Sequence, residues 1–139
     1  MQRMIAAIVA FTIVSGLPTI VRAQTYLLCQ PDNRYQHPLF LDATWRLGPG
    51  EIAWLDARTQ TWKNFCENSG DPAHERVDAS CSVTADYYRA EFHSPEAPPG
   101  LRVMTISRRT GAILYTSPGR TDQGRCEPTT PPVQVPQRF

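Results

Sequence analysis

The sequence has neither a strong charge bias nor a long apolar run. It carries 14 Lys and Arg residues against 13 Asp and Glu residues, a formal net charge of +1. A charge balance so close to zero gives no argument for binding nucleic acid or an anionic membrane surface. No apolar run reaches the roughly 20 residues that a membrane-spanning helix needs. We therefore expect no nucleic-acid partner and no membrane insertion of the processed chain.

The short motifs of common catalytic and metal sites are missing as well. The cysteines form no CxxC pair, no serine stands in a GxSxG elbow, and the histidines form no HExxH pair. We expect His37, His74 and His93 to be solvated loop residues. The sequence thus predicts no catalytic residue, no metal site and no cofactor.

Three carboxylates lie within or beside predicted strands, namely Asp42, Asp56 and Asp86. Two of them could meet in a cleft as a general acid and a general base. Aspartates at strand ends that close turns explain the same pattern with fewer assumptions. An enzyme of unfamiliar type is accordingly the third of our functional hypotheses.

The N-terminal region has the three parts of a secretory signal peptide. A basic start at residues 1–3 precedes an apolar segment at 5–14 and a small-residue cleavage site at 21–23. An uncleaved membrane anchor is the less favoured alternative, because the apolar segment is short. Cleavage after residue 23 also removes Arg3 and Arg22, which leaves 12 basic residues (14 − 2) against 13 acidic ones and a net charge of −1. We predict a periplasmic or secreted protein that begins at Gln24.

Four cysteines remain in the processed chain: Cys29, Cys66, Cys81 and Cys126. An even number in an oxidising compartment indicates two structural disulfides, with a zinc site as the less favoured alternative. Four cysteines allow three pairings. We favour Cys29–Cys126, which would join the first and last strands, together with Cys66–Cys81.

Apolar residues recur with a period of two along most of the chain, and no segment keeps a helical period over three turns. β-prone runs lie at residues 25–30, 39–47, 51–56, 60–66, 77–93, 101–116 and 124–127. We predict an all-β fold, an antiparallel meander of six to eight short strands that forms a small disulfide-linked barrel or sandwich. It would occupy residues 24–128 as one domain, followed by a proline-rich, flexible tail at 129–139 that folding does not require.

The clearest local unit is the hairpin "ISRRTGAILY". Its predicted three-residue loop, 109–111, ends at Gly111, where a left-handed backbone is needed. This register pairs Ile106 with Leu114 and places both on the core face together with Met104.

The tip of this hairpin is the candidate interaction loop, formed by Arg108, Arg109, Thr110 and Gly111. It could bind a partner, or it could simply be a solvated turn. We favour the solvated turn, because long charged side chains are easily hydrated at a turn.

Three tryptophans, Trp45, Trp54 and Trp62, lie within eighteen residues of each other. They could form an exposed aromatic platform for sugars or peptides. In a small domain they are better explained as core residues, because each buries a large apolar area.

Taken together, "TYLLCQ", "WLDARTQTW", "ISRRTGAILY" and the terminal "QRF" make the chain similar to a group of small exported alphaproteobacterial proteins. Those proteins carry an I-[DNS]-R-x-T-G hairpin and have no assigned function. The resemblance implies an exported β-rich domain without catalytic residues.

The chain also resembles, more distantly, the periplasmic inhibitors of c-type lysozyme. These are small disulfide-linked β-barrels with a loop of the form S-G-x-K-Y. The corresponding "TGAILY" differs in spacing and has no lysine.

Our leading functional hypothesis is a non-enzymatic, secreted or envelope-associated binding module, monomeric and with an envelope or secreted protein as partner. The second is a protein inhibitor of an envelope or host hydrolase.

Overall fold

One antiparallel sheet of nine strands, curled into a half-barrel, dominates the structure. The computed structural model describes residues 24–71 and 74–133. The strands are β1 (Thr25–Pro31), β2 (Ala43–Gly48), β3 (Glu51–Asp56), β4 (Thr61–Asn64), β5 (Val77–Val83), β6 (Tyr87–Ser94), β7 (Gly100–Ser107), β8 (Ala112–Ser117) and β9 (Arg120–Pro128). The predicted all-β antiparallel fold is confirmed, whereas the predicted count of six to eight strands was too low. The predicted signal peptide and residues 134–139 of the predicted tail lie outside the described residues.

The first and last strands meet in the middle of the sheet. The strand order is β4-β3-β2-β1-β9-β8-β7-β6-β5, so β1 and β9 join an N-terminal half to a C-terminal half. Cys29 and Cys126 are direct partners across this pair and form a disulfide. The second disulfide, Cys66–Cys81, connects the end of β4 to β5, at the two outer edges of the sheet. This is the pairing that we favoured from the sequence.

The core lies on the concave face of the half-barrel. Alternate side chains of each strand point to this face, as the period of two requires. The buried residues of the core are Cys29, Leu41, Trp45, Leu47, Ile52, Trp54, Phe65, Tyr88, Ala90, Phe92, Met104, Ile106, Ile113, Tyr115 and Cys126.

Several predicted strands have different limits in the structure, and three of them differ most. The run at 77–93 divides into β5 and β6, because the Thr84 hydroxyl accepts hydrogen bonds from the backbone of Asp86 and Tyr87 and closes a turn there. The run at 39–47 starts with a short 3-10 helix, Leu39–Leu41, before β2. The last strand, β9, is longer than predicted.

The predicted register of the β7–β8 hairpin was wrong by one residue. Ile106 pairs with Ile113, and the connection between the strands contains four residues, 108–111, instead of three. A shift of one residue exchanges the two faces of a strand. Ile113 therefore lies in the core, whereas Leu114 is 39% exposed on the convex face.

Gly111 does adopt the left-handed backbone expected of it, with φ +74°. A Cβ atom at this position would collide with the carbonyl oxygen of Cys126. Glycine is thus required here both by the backbone conformation and by the close approach of β9.

Two of the three tryptophans belong to the core and one does not. Trp45 and Trp54 are direct cross-strand partners and are buried on the concave face. Trp62 pairs with Leu55 on the convex face, where the Arg46 guanidinium lies 4.4 Å from its ring centroid. The expectation of a three-tryptophan core therefore holds for Trp45 and Trp54 alone.

Candidate functional site

At one end of the half-barrel, the inward-facing positions change from apolar to polar. The inward residues there are Asp56 of β3, Ser94 of β6, Arg102 of β7, Ser117 of β8 and Asp122 of β9. Each lies two residues from a buried inward residue on the same strand, so each side chain still points to the concave face. We call this part of the molecule the cavity end.

A cavity of about 390 Å³ opens among these residues. Its apolar wall contains five aromatic rings, those of Phe40, Trp54, Phe65, Phe92 and Tyr115. The Phe40 ring is the centre of this group, with centroid distances of 4.7 Å to Tyr115 and 5.2 Å to Phe65 in edge-on geometry. The volume falls within the range of about 300–1,000 Å³ that is typical of small-molecule sites.

Most of the cations beside the cavity are neutralised by a carboxylate. Lys63 Nζ lies 3.0 Å from Asp56 Oδ2, and Arg120 Nη2 lies 2.7 Å from Asp122 Oδ1. The hydrogen bond from Lys63 is the largest of the effects that lower the pKa of Asp56, although burial of this carboxyl acts in the opposite direction. Asp56 is only 1% exposed and is therefore an ionised group held inside the protein by its partners.

Arg102 and Arg76 are the exceptions among these cations, and Arg102 is the more deeply buried of the two. Arg102 is 8% exposed, and its Nη2 donates to the backbone oxygens of Glu96 at 3.0 Å and Pro98 at 3.2 Å. Within residues 24–71 and 74–133, no carboxylate oxygen lies within 4.0 Å of its guanidinium nitrogens. Burying a charge without a counter-ion is costly, so this position requires an explanation.

Two uncharged donors lie near the same cavity. Burial raises the pKa of the Tyr115 hydroxyl, and the positive charge of Arg102 opposes that shift without reversing it. The phenol is therefore protonated at neutral pH and able to donate a hydrogen bond. The indole Nε1 of Trp54 is buried and has no hydrogen-bond partner within the described residues.

A further cation, Arg76, covers the aromatic wall from the segment that follows β4. Its guanidinium carbon lies 5.5 Å from the centroid of the Phe65 ring. Its donors bond the backbone oxygens of Asn64 and Glu67, each at 3.2 Å. Burial lowers the pKa of Arg76, but an arginine keeps its charge at neutral pH.

The predicted interaction loop, 108–111, lies at the opposite end of the half-barrel from the cavity. Arg102 stands near the start of β7 and Arg108 follows its end, a separation of about 20 Å at the usual rise per strand residue. Both arginines of the loop contact the β5–β6 turn: Arg108 Nη1 donates to Thr84 O at 2.6 Å, and Arg109 Nε donates to Asp86 Oδ1 at 2.6 Å. They thus connect two neighbouring turns, while the Arg109 side chain stays 78% exposed. Our expectation of a solvated turn rather than a binding loop stays a prediction.

The other candidate residues do not form a common site. Asp56 is at the cavity end, whereas Asp86 lies in the β5–β6 turn at the other end. His74 is 4.0 Å from a Glu96 oxygen, and the ring of His37 contacts the backbone oxygen of Pro38. In the described ranges, no group of three or more His, Cys, Asp or Glu side chains is arranged to hold a metal ion.

Sequence reasoning missed Arg102, although a signal was present. Arg102 precedes Met104 by two residues, and Met104 was correctly assigned to the core face. The period of two therefore places a charged side chain in the core of β7. The aromatic wall could not be found in this way, because its members come from segments that are distant in the chain.

Comparisons of the chain with protein-family models, with curated proteins and with solved structures gave no match in any of the three cases. Among residues 24–71 and 74–133, no helix is long and apolar enough to cross a membrane.

Proposed function

We propose that the protein is a periplasmic or secreted binding module without catalytic activity, and that a small amphipathic organic molecule occupies the cavity. The observation that carries this proposal is that an aromatic wall meets a buried arginine, Arg102, in one cavity, and that no carboxylate of the described residues forms an ion pair with this arginine. Binding sites for small molecules commonly combine an apolar lining with a few fixed polar groups. The aromatic wall would contact the apolar body of the ligand, and the polar residues of the cavity would orient the ligand.

The inward carboxylates support binding more than catalysis. Asp56 is held by Lys63, and Asp122 is held by Arg120. A general base works best when its pKa is near the working pH, whereas the pKa of Asp56 is lowered from its ordinary value. Asp56 therefore serves better as a fixed counter-ion than as a proton acceptor.

Export is the second part of the proposal. The N-terminal sequence has the order of a secretory signal, and two disulfides are typical of proteins in an oxidising compartment. N-terminal sequencing of the protein recovered from the periplasm or the medium tests it. We expect a chain that begins at Gln24, and an intact Met1 on membrane-bound protein would contradict export.

Binding at the cavity can be tested with anilinonaphthalene sulfonate, a fluorescent molecule with an apolar body and one anionic group. We expect saturable binding to the folded protein. The variant Ser117→Trp places a large side chain in the cavity and should abolish that binding. Thr116→Trp is the matched control, because Thr116 is exposed and precedes Ser117 on the same strand.

The two variants separate the cavity from the rest of the surface. Loss of binding in Ser117→Trp alone supports the cavity as the site, provided both variants unfold cooperatively. Equal binding by both variants, or no binding by the unaltered protein, would contradict the proposal.

Inhibition of an envelope or host hydrolase is a second candidate function. The observation that favours it is an exposed surface at the loop end, where Arg108 and Arg109 bond the β5–β6 turn between the exposed side chains of Val83 and Tyr87. Arginine and tyrosine are common anchors in protein interfaces. Assays of lysozyme and other cell-wall hydrolases with the purified protein test this function, and Arg108→Ala with Arg109→Ala should remove any inhibition.

A further inference from the structure

We infer that the ligand carries a singly charged oxyanion, a carboxylate or sulfonate, and that Arg102 binds this group inside the cavity. The inference rests on the proposed function and specifies the ligand class and its anchor. The geometry points to it because Arg102 is a buried cation at the cavity wall that forms no ion pair with a carboxylate in the part of the chain that the structure describes.

The other cations at the cavity are less suited to this role. Lys63 and Arg120 each already have a carboxylate partner, at 3.0 and 2.7 Å. The side chain of Arg58 is 72% exposed, and water screens its charge.

Arg76 also lines the cavity, but its donors bond the backbone oxygens of Asn64 and Glu67, and the charges of Asp71 and Glu67 act on it. Arg102 is therefore the cation with the most to gain from a ligand's negative charge.

Arg102 is held in place while some of its donors stay free. Its Nη2 is fixed by the backbone oxygens of Glu96 and Pro98. The Tyr115 hydroxyl is close enough to accept a hydrogen bond from the same guanidinium. The other N–H groups of Nε and Nη1 have no acceptor within the described residues, which leaves them for a ligand. An arginine anchored in this way loses little further freedom when it binds an oxyanion.

Nearby groups favour one negative charge over two. Glu96 and Asp122 line the same cavity, and their carboxylates would repel a doubly charged phosphate more strongly than a singly charged group. The phenol of Tyr115 and the unpartnered Nε1 of Trp54 are neutral donors, and both residues line the cavity. One buried cation with neutral donors matches a carboxylate or sulfonate on an apolar body.

Isothermal titration with matched pairs of ligands tests the inference. Octanoate is compared with octanol and phenylbutyrate with phenylbutanol, so that each pair differs only in its polar end. We expect each acid to bind the unaltered protein about tenfold or more tightly than its alcohol, as for a hydrogen bond to a charged group. Acetate alone should bind much more weakly, because it has no apolar body to bury.

Arg102→Met removes the charge and keeps much of the side-chain length. We expect this variant to lose the preference for the acid and to bind the alcohol as before. Arg89→Met is the control, because Arg89 lies on the convex face and is paired with Glu91 at 3.0 Å. Arg102→Lys keeps the charge and should retain part of the preference, which supplies a second variant if Arg102→Met does not fold.

The outcomes distinguish this inference from the proposed function. If acid and alcohol bind the unaltered protein with equal affinity, Arg102 does not bind an oxyanion. The proposal that the cavity is a binding site would stand. An unchanged acid preference in folded Arg102→Met would overturn the role of Arg102 as well. Failure of every ligand, including anilinonaphthalene sulfonate, would contradict both proposals.

Discussion

Cys66 is bonded to Cys81, and this one disulfide connects the two strands at opposite ends of the strand order, β4 and β5. These strands are not hydrogen-bonded neighbours in the sheet. The half-barrel is therefore held together on its open side by a covalent bond and by the aromatic contacts of Phe65 with Phe40 and Phe92. Phe65 immediately precedes Cys66, so the disulfide also fixes one wall of the cavity.

We predict that replacing Cys66 and Cys81 by serine lowers the free energy of unfolding by about 3 kcal/mol, as loop entropy gives for a loop of this length. The sequence separation of the two cysteines is 15 residues. Urea unfolding measures the loss. Hydrogen exchange should become faster in β4 and β5 than elsewhere, because these edges lose their covalent link.

The matched control replaces Cys29 and Cys126, which are separated by 97 residues and lie on strands already paired by hydrogen bonds. The longer loop predicts a larger loss in the free energy of unfolding, about 5 kcal/mol. Hydrogen exchange in the edge strands β4 and β5 should not become faster than elsewhere in this variant. Equal exchange in β4 and β5 in the two double variants would contradict the role of Cys66–Cys81 in closing the half-barrel.

Gly111 and Gly119 form a matched pair for a second prediction. Both have positive φ, +74° and +76°, but only at Gly111 would a Cβ meet another atom, the carbonyl oxygen of Cys126. We expect Gly119→Ala to cost about 1 kcal/mol from backbone strain alone and Gly111→Ala to cost clearly more. Urea unfolding compares them, and equal losses would show that β9 does not approach Gly111 as closely as described.

The contacts of the loop arginines predict a small effect on stability. Arg109 and Asp86 form an exposed ion pair, with 78% and 45% of their side chains accessible. Exposed ion pairs contribute about 0–1 kcal/mol. Arg108→Ala with Arg109→Ala should therefore reduce the free energy of unfolding by less than about 1 kcal/mol. It should still speed hydrogen exchange in the β5–β6 turn, and an unchanged turn would mean that the arginines do not hold it.

Asp56 predicts a pH dependence of stability. Its pKa is lower in the folded protein than the ordinary value of an aspartate, chiefly through the hydrogen bond from Lys63. The resulting stabilisation is fully present above the unfolded pKa, about 4, and is lost as the pH falls through the lower folded pKa. The difference in unfolding free energy between the unaltered protein and Asp56→Asn should thus be largest near neutral pH and shrink in acid.

Lys63→Met provides the check on the cause. The hydrogen bond from Lys63 is the largest cause of the lowered pKa of Asp56. Its loss should remove most of the pH dependence of stability, as measured by urea unfolding over a pH series. A pH dependence unchanged by Lys63→Met would assign the shift to the backbone and to Arg58 instead.

The strand pattern could be predicted because it depends on local signals. The period of two identified the β-prone runs, and the turn residues marked most of their ends. The register of the β7–β8 hairpin was predicted wrongly because a three-residue loop and a four-residue loop can both end at Gly111. Only packing against β9 decides between the two loop lengths. Ile113 and Leu114 are equally apolar, so composition did not show which one faces the core.

The cavity depends on contacts that the sequence does not display. Phe40 belongs to a 3-10 helix that was predicted as strand, and its ring contacts Trp54 of β3 and Tyr115 of β8. Such a group forms only when the sheet curls. Arg102 is different, because it lies two residues before Met104 on the same strand. The period of two therefore already predicted that its charged side chain faces the core.

The most direct test of the cavity as an oxyanion site is a nitrogen–proton correlation spectrum of the indole groups during a titration with phenylbutyrate. Trp54 lines the cavity, whereas Trp62 lies under Arg46 on the convex face. We predict a saturable shift of the Trp54 resonance, no shift of the Trp62 resonance, and a much weaker response in Arg102→Met. An unmoved Trp54 resonance at saturation of binding, or a larger movement of Trp62, would contradict the oxyanion site.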